Sequence, residues 1–201
     1  MAGTLPTSPA FQSVSIKTNN PNITTISTSG RRQVKTQQSQ FWSFTAAYPP
    51  MNRSQFGPIA AFVTKQRGAF ESFTMILPDY STTSGALTTQ SVTTTNSEAL
   101  GATAIELSVG ASLTLSGALK AGDFVKFTGH NKVYMIVDDV DFSGGSATMN
   151  IEPGLVVAVG SGVVIDYKDV EFTVFLSNDV QEFNTGLASI ATYELDMREA
   201  L

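Results

Sequence analysis

The chain contains no cysteine, which excludes both disulfide bonds and thiolate metal sites. It has one histidine and one tryptophan in 201 residues, so few side chains are available for catalysis. No run approaches the roughly 18 apolar residues that a membrane-spanning helix needs. The first twenty residues lack a basic segment followed by an apolar one, so we expect no secretion signal. The composition is typical of a folded protein made in a reducing cytoplasm.

Charge is also scarce, at 14% of residues, and it is distributed unevenly. Residues 1–79 hold seven basic and two acidic side chains, a net charge of +5, whereas residues 168–201 hold two basic and seven acidic ones, a net charge of −5. Residues 80–167 also carry −5. A surface rich in small polar groups can be buried against neighbours at little desolvation cost. Opposite charges on the first and last segments favour pairing within a subunit or between subunits.

The pattern of residues 11–84 predicts a β-rich core with one helix, preceded by an extended arm over residues 1–10. Phe41, Trp42 and Phe44 lie where a central strand buries its inner face. A helix follows, beginning at Gly57-Pro58 or, alternatively, capped by Ser54, and ending before Gly68. Its expected apolar stripe consists of Phe56, Ile59, Ala60 and Val63. A further strand is expected to bury Phe73, Met75 and Leu77.

The middle of the chain has a different composition. Residues 81–95 are dominated by Thr and Ser, and we expect a linker or an exposed hairpin there. Several short strands with glycine-rich turns follow, including a hairpin over Gly129-His130-Asn131, which is typical of a small barrel or sandwich. The fold class is therefore mainly β with one helix. We expect residues 11–84 and 168–201 to form one domain, with residues 85–167 as an inserted β-domain.

Side chains that could carry chemistry are few, and each has a simpler structural interpretation. His130 lies in a predicted turn with no second histidine. Asp138, Asp139 and Asp141 lack the glycine and terminal glutamate of a calcium-binding EF-hand. The pairs Gly144-Gly145 and Gly160/Gly162 precede strands, so they form no phosphate-binding loop. We predict no catalytic, cofactor-binding or metal-binding residue and no cofactor.

The basic patch of Arg31, Arg32 and Lys35 is short, and the whole chain is acidic, with a pI near 4.8. Specific nucleic-acid binding usually needs a broader basic field. Trp42 and its aromatic neighbours are better explained as core residues than as a platform on which bases stack. We therefore expect no specific binding of DNA.

One stretch resembles a known family. It contains Arg32, the aromatic residues Trp42 and Phe44, a helix at 59–66, and then the residues Arg67-Gly68-Ala69-Phe70 followed by Phe73. This arrangement is similar to the distal tail, or baseplate-hub, proteins of tailed bacteriophages and to their tail-tube relatives. Residues 193–201 resemble the closing strand of that family, and residues 119–139 and 148–155 resemble small β-domains on phage structural proteins.

The resemblance implies a split β-barrel or sandwich of the tail-tube type that carries an inserted small β-barrel domain. It implies a virion structural protein made in the host cytoplasm, not an enzyme and not membrane-bound. Such proteins form a homo-oligomeric ring, sixfold in this family, that extends the tail tube and joins it to the baseplate hub or tip. DNA passes through the lumen. An alternative is a carbohydrate-binding or adhesive β-module, although the insertion has no tryptophan.

Overall fold

The computed structural model describes residues 3–36, 39–110, 112–186 and 190–201. They form two compact units, each built from separate parts of the chain. The first unit comprises Met1–Asn20, Gln40–Ile76 and Phe172–Leu201, and the second comprises Pro21–Ser39 and Leu77–Glu171. Strands dominate both units, and the described residues include a single α-helix. The predicted fold class, mainly β with one helix, is confirmed.

The first unit is organised around a five-stranded sheet. In sheet order its strands are β1 (Ser13–Asn19), β4 (Phe41–Ala47), β17 (Glu194–Glu199), β14 (Glu171–Leu176) and β5 (Ser72–Ile76). Two short strands, β15 (Asn184–Thr185) and β16 (Ala191–Thr192), form a separate antiparallel pair. The pairs β1–β4, β4–β17 and β17–β14 are antiparallel, with Phe44 opposite both Ile16 and Met197. Alternate residues of β4 and β17 are buried on one face, as the period of two in a half-buried strand requires. The buried set includes Trp42, Phe44, Leu195, Met197, Phe172, Val174, Phe73 and Met75.

The prediction for the aromatic strand is confirmed for Trp42 and Phe44 but wrong for Phe41. Phe41 lies on the opposite face of the sheet and is half-buried there, because neighbouring side chains of a strand point in opposite directions. The Arg198 guanidinium lies 3.6 Å from the centre of its ring, a cation–π contact. The predicted burial of Phe73, Met75 and Leu77 is confirmed.

The helix α1 (Arg53–Lys65) begins earlier than either predicted start. Asn52 is the N-cap: its side chain accepts from the Gln55 N–H, and the Gln55 side chain accepts from the Asn52 N–H. This reciprocal capping box fixes the start, so Pro58 lies inside the helix. Of the predicted stripe, Ile59 and Val63 are fully buried, whereas Phe56 and Ala60 are half-buried.

The N-terminal arm is engaged within its own chain. Thr4 forms a parallel bridge with Thr74 of β5, and the Leu5 N–H donates to the Thr74 carbonyl at 2.8 Å. The Leu5 side chain is buried. Met1 and Ala2 of the predicted arm lie outside the described residues. This part of the arm therefore extends the sheet edge of its own subunit.

The second unit contains a closed six-stranded barrel. In barrel order its strands are β10 (Val133–Ile136), β12 (Ser146–Glu152), β7 (Ala104–Val109), β6 (Val92–Thr94), β13 (Val164–Asp166) and β9 (Phe124–Phe127). Two further strands, β8 (Leu115–Leu119) and β11 (Val140–Phe142), pair with each other. The predicted hairpin across Gly129-His130-Asn131 is confirmed, since Val133 lies opposite Lys126. Closure leaves no free barrel edge to pair with another chain.

The Ser/Thr-rich segment is part of this unit, and the prediction of a linker or an exposed hairpin is wrong for residues 92–94 and for the buried Leu87. Residues 92–94 form β6, and the Thr94 hydroxyl donates to the Gly160 carbonyl at 2.7 Å. Leu87 is buried in the barrel core. Gly85 runs so close to β8 that a Cβ there would lie 2.2 Å from the Ala118 carbonyl oxygen. Threonine fits a strand, and its hydroxyl finds a backbone partner, so a polar composition did not exclude β-structure.

A separate hairpin precedes the aromatic strand. It consists of β2 (Asn22–Ile26) and β3 (Arg32–Thr36), and all ten strand residues are exposed. Gly30, at a φ of 78°, helps to close the turn, and the Gly30 N–H donates to the Ser27 carbonyl. The pairing of these two strands was not predicted from the sequence.

The domain boundaries stay a prediction, which an excision tests. The Val170 N–H donates to the Ser81 carbonyl at 2.9 Å, so the two ends of the intervening segment lie side by side. Removing residues 85–167 and joining the ends with a short Gly/Ser linker is expected to leave a soluble remainder that unfolds cooperatively, because insertions are tolerated where chain ends meet. Circular dichroism during heating checks this. A molten or insoluble product would contradict the split-domain interpretation.

Candidate assembly surfaces

His130 shows no arrangement for catalysis or metal binding. It lies in the β9–β10 turn with its ring 5.9 Å from that of Phe127, and burial lowers its pKa. Its Nδ1 is buried without a hydrogen-bond partner among the described residues. Across the described ranges, no group of three or more His, Asp or Glu side chains is placed to hold a metal ion.

The three clustered aspartates stabilise their own loops. Asp139 accepts from the Lys120 ammonium at 2.6 Å and from the Ala121 N–H, and these contacts lower its pKa. The backbone N–H of Gly117 and the Ser116 hydroxyl, in that order, lower the pKa of Asp141. Asp138 accepts from the Asn150 side chain. Each carboxylate therefore has its own hydrogen-bond partners in neighbouring turns or strands, and the three are not placed to hold a metal ion together.

The other residues considered as functional in the sequence analysis have structural roles or lie in the β2–β3 hairpin. Gly144 and Gly145 form the turn between β11 and β12, and Gly160 and Gly162 precede β13, so neither pair begins a helix. Trp42 is buried in the core of the first unit, as expected. Arg31, Arg32 and Lys35 lie in the exposed β2–β3 hairpin.

The β2–β3 hairpin presents apolar and basic side chains together. Its register places Ile26 opposite Arg32 and Thr24 opposite Val34, so all four share one face. Ile26 is 69% exposed and Val34 49% exposed. Ile23 and Lys35 lie on the other face. A lone two-stranded hairpin is only marginally stable in water, so a surface of this kind is typical of one that packs against a partner.

The first unit has a groove of about 470 Å³. Its aromatic residues are Tyr48, which follows β4, and Tyr193, which precedes β17. Their rings lie nearly parallel, with centres 6.2 Å apart. The groove is lined by Gln12, Ala47, Tyr48, Pro50, Asn178, Val180, Gln181, Glu182, Asn184, Thr192, Tyr193, Glu194 and Asp196. We call this surface the acidic groove, since the lining contains three carboxylates and no basic side chain.

Two hydroxyl groups in the acidic groove differ in their partners. The Tyr193 hydroxyl donates to the Gln181 side chain at 2.8 Å. The Tyr48 hydroxyl is buried and has no partner among the described residues. Burial raises the pKa of both tyrosines, and for Tyr48 a charge on Tyr193 raises it further. A buried hydroxyl without a partner is a group that a bound donor or acceptor can satisfy.

Apolar side chains at and beside the groove are exposed. Val180, in the lining, is 84% exposed. Phe183 lies next to the lining residues in sequence and is 41% exposed, with its ring centre 5.5 Å from those of Phe56 and Tyr193. The acidic groove was not found from the sequence, although the acidic C-terminal segment that supplies its carboxylates was noted.

Replacing Tyr48 by phenylalanine is expected to stabilise the monomer by about 1 kcal/mol or more, because an unsatisfied buried hydroxyl costs about 1–3 kcal/mol. Tyr193→Phe is the matched control: it loses a hydrogen bond and should cost about 0.5–1.5 kcal/mol. Urea unfolding at about pH 8 measures both. A Tyr48→Phe chain less stable than wild type would show that the hydroxyl has a partner.

The raised tyrosine pKa values also predict a pH dependence. Below about pH 10, the ordinary tyrosine pKa, both hydroxyls are protonated in the folded and unfolded states. Above it the unfolded chain loses these protons while the folded chain keeps them. The free energy of unfolding should therefore fall as the pH rises, and fall less steeply in Tyr48→Phe. Equal slopes in the two proteins would contradict this origin.

The barrel surface offers a smaller depression of about 240 Å³. Its lining, Thr95, Glu106, Leu107, Ser146, Ala147 and Thr148, contains no aromatic ring. A sugar would have no ring to stack on there, so this depression does not favour the carbohydrate-binding alternative.

The described residues form a five-stranded sheet with one helix and a closed six-stranded barrel, and they define a mainly β protein. Comparison with known families identifies it further. Residues 4–80 match the N-terminal part of the A domain of distal tail protein pb9, and residues 85–162 match the B domain of the same protein. The chain belongs to the pb9 family of phage distal tail proteins.

A curated relative extends the match over nearly the whole chain. The distal tail protein pb9 of Escherichia phage T5 is 24% identical over 194 residues, which cover 95% of this chain and 92% of the relative. The resemblance to phage distal tail proteins is thus confirmed, and with it a structural role in a phage tail. None of the described helices is long and apolar enough to cross a membrane.

Proposed function

We propose that this chain forms a closed homo-oligomeric ring, sixfold as the family resemblance implies, that extends the tail tube and joins it to the baseplate hub or tip. The observation that carries this proposal is the β2–β3 hairpin, whose ten strand residues are all exposed. Exposed apolar side chains grouped on a small element mark surfaces that bind a protein partner. In a ring each copy supplies such a partner to the next.

The proposed protein is a virion component and not an enzyme, made in the host cytoplasm and needing no cofactor. Its partners are its own copies, the tail tube protein and the hub or tip proteins. DNA passes through the lumen without specific binding. A net charge of −5 favours free passage, because nucleic-acid binding draws most of its affinity from basic contacts to phosphates.

The salt dependence of assembly tests this proposal. If opposite charges meet across the subunit joint, raising the ionic strength should weaken the ring, since exposed charges are screened over about 8–10 Å at physiological salt. Sedimentation velocity of the purified full-length chain across a salt series measures the change. The same preparation is then mixed with tail tubes and viewed by electron microscopy, where it is expected at one end of the tube. Failure both to assemble and to bind tubes would favour the adhesive β-module.

A further inference from the structure

We propose that the acidic groove of one copy receives the β2–β3 hairpin of a neighbouring copy. This inference rests on the proposed ring and specifies its joint. The face that docks is the one carrying Ile26, Val34 and Arg32, with Arg31 beside it in the turn. Both surfaces consist of described residues.

Charge favours this occupant. The groove lining contributes Glu182, Glu194 and Asp196 with no basic residue among its thirteen members. The hairpin contributes Arg31, Arg32 and Lys35 with no acidic residue between Asn22 and Thr36. Among the described residues, none of these six side chains forms an ion pair within its own chain. The guanidinium groups are therefore free to bind carboxylates of another copy.

The apolar groups also match. Ile26 and Val34 are exposed on the hairpin, and Val180 and Phe183 are exposed at and beside the groove. Burying these side chains against each other removes apolar area from water on both surfaces. Arginine is well suited to such a site, because its planar guanidinium both pairs with carboxylates and stacks on aromatic rings. Tyr48 and Tyr193 supply aromatic rings within the lining.

The unpartnered Tyr48 hydroxyl is a third, independent feature. It is buried in the groove lining, where it has no hydrogen-bond partner among the described residues. Buried polar groups in native proteins are nearly always satisfied. A polar group of the incoming hairpin can satisfy it. Docking therefore predicts that Tyr48→Phe weakens assembly even though it stabilises the monomer, which a purely structural role would not produce.

Charge exchange in the full-length chain tests the proposal. Arg31→Glu with Arg32→Glu should raise the concentration needed for assembly at least about tenfold, as loss of close charge pairs does. Within the described part of the chain, neither guanidinium has a hydrogen bond or an ion pair, so the thermal midpoint of the monomer should be unchanged. Adding Glu182→Arg and Glu194→Arg should restore assembly, since the pairs form again with exchanged signs. Asp196 is left in place because it accepts from the Thr45 hydroxyl.

The matched control is Arg53→Glu with Lys168→Glu. It changes the net charge by the same amount at two exposed positions outside both surfaces, and assembly should stay close to wild type. Equal weakening in the control would show a general effect of net charge and would overturn the proposed joint.

Cross-linking provides a direct readout, because the chain has no cysteine of its own. Ser29→Cys at the hairpin turn, combined with Asn184→Cys in the groove, should give a ladder of covalent oligomers with a short bis-maleimide. Ser29→Cys with Lys168→Cys should give much less. The wild-type ring could form while the exchanged charges do not restore assembly and the cysteine pair gives no cross-linked oligomers. That result would overturn the proposed docking but not the proposed ring. A wild-type chain that does not assemble would overturn both.

Discussion

Replacing Asp123 by alanine is expected to lower the free energy of unfolding of the second unit by about 3–5 kcal/mol. The Asp123 carboxylate is buried and accepts hydrogen bonds from the Thr83 hydroxyl, from the N–H and hydroxyl of Ser84, and from the Lys120 N–H. These four hydrogen bonds are partly buried, and hydrogen bonds to a charged group contribute about 1.5–3 kcal/mol each. The carboxylate thus fastens the segment before β6 to the β8–β9 turn.

Urea unfolding followed by tyrosine fluorescence measures this effect. Asp123→Asn keeps the size and one acceptor oxygen, so it should lie between alanine and wild type. Asp139→Ala is the matched control, since its ion pair with Lys120 is exposed and its loss should have a much smaller effect. If Asp123→Ala and Asp139→Ala destabilise equally, the buried carboxylate does not have the role assigned here.

Ile59→Ala is expected to destabilise the first unit by about 2–5 kcal/mol, the range for cavity-forming changes in a packed core. Ile59 is 0% exposed and lies on the face of α1 that packs toward the sheet, where Phe62 of the same helix makes an edge-to-face contact with Phe73 of β5. Phe56→Ala should cost less, because that side chain is half-buried.

Chemical unfolding of both variants, with Phe70→Ala as the control, measures the difference. Phe70 is 76% exposed, so its truncation should change the stability by less than about 0.5 kcal/mol. An Ile59→Ala effect as small as that of Phe70→Ala would show that the helix is weakly packed.

Periodicity predicted the buried positions well, because burial on one face leaves a regular trace in the sequence. Ile59 and Val63, and Phe73 and Met75, follow the spacings of a helix and of a strand. The helix start was missed because Gly57-Pro58 is a strong local signal, whereas Asn52 acts through a reciprocal hydrogen bond with Gln55. Such a bond depends on geometry that a residue count does not contain.

The strands and surfaces that were not predicted from the sequence were missed for a different reason. Strand β6 is three residues long and mostly threonine, so its apolar pattern is too short to read. The β2–β3 hairpin buries neither face and therefore shows no alternation. The acidic groove combines residues near positions 12, 48 and 178–196, which only the folded sheet brings together. The number of its carboxylates could be counted from the sequence, but their positions in the fold could not be predicted from it.

The native mass of the purified full-length chain tests the central claim most directly. Native mass spectrometry at low ionic strength should show one closed species at six times the 21.4 kDa subunit mass, with no continuing ladder above it, because a ring leaves no free joint. Raising the salt should return it to monomer. A chain that stays at the monomer mass at every concentration, and that does not bind tail tubes, would contradict the ring.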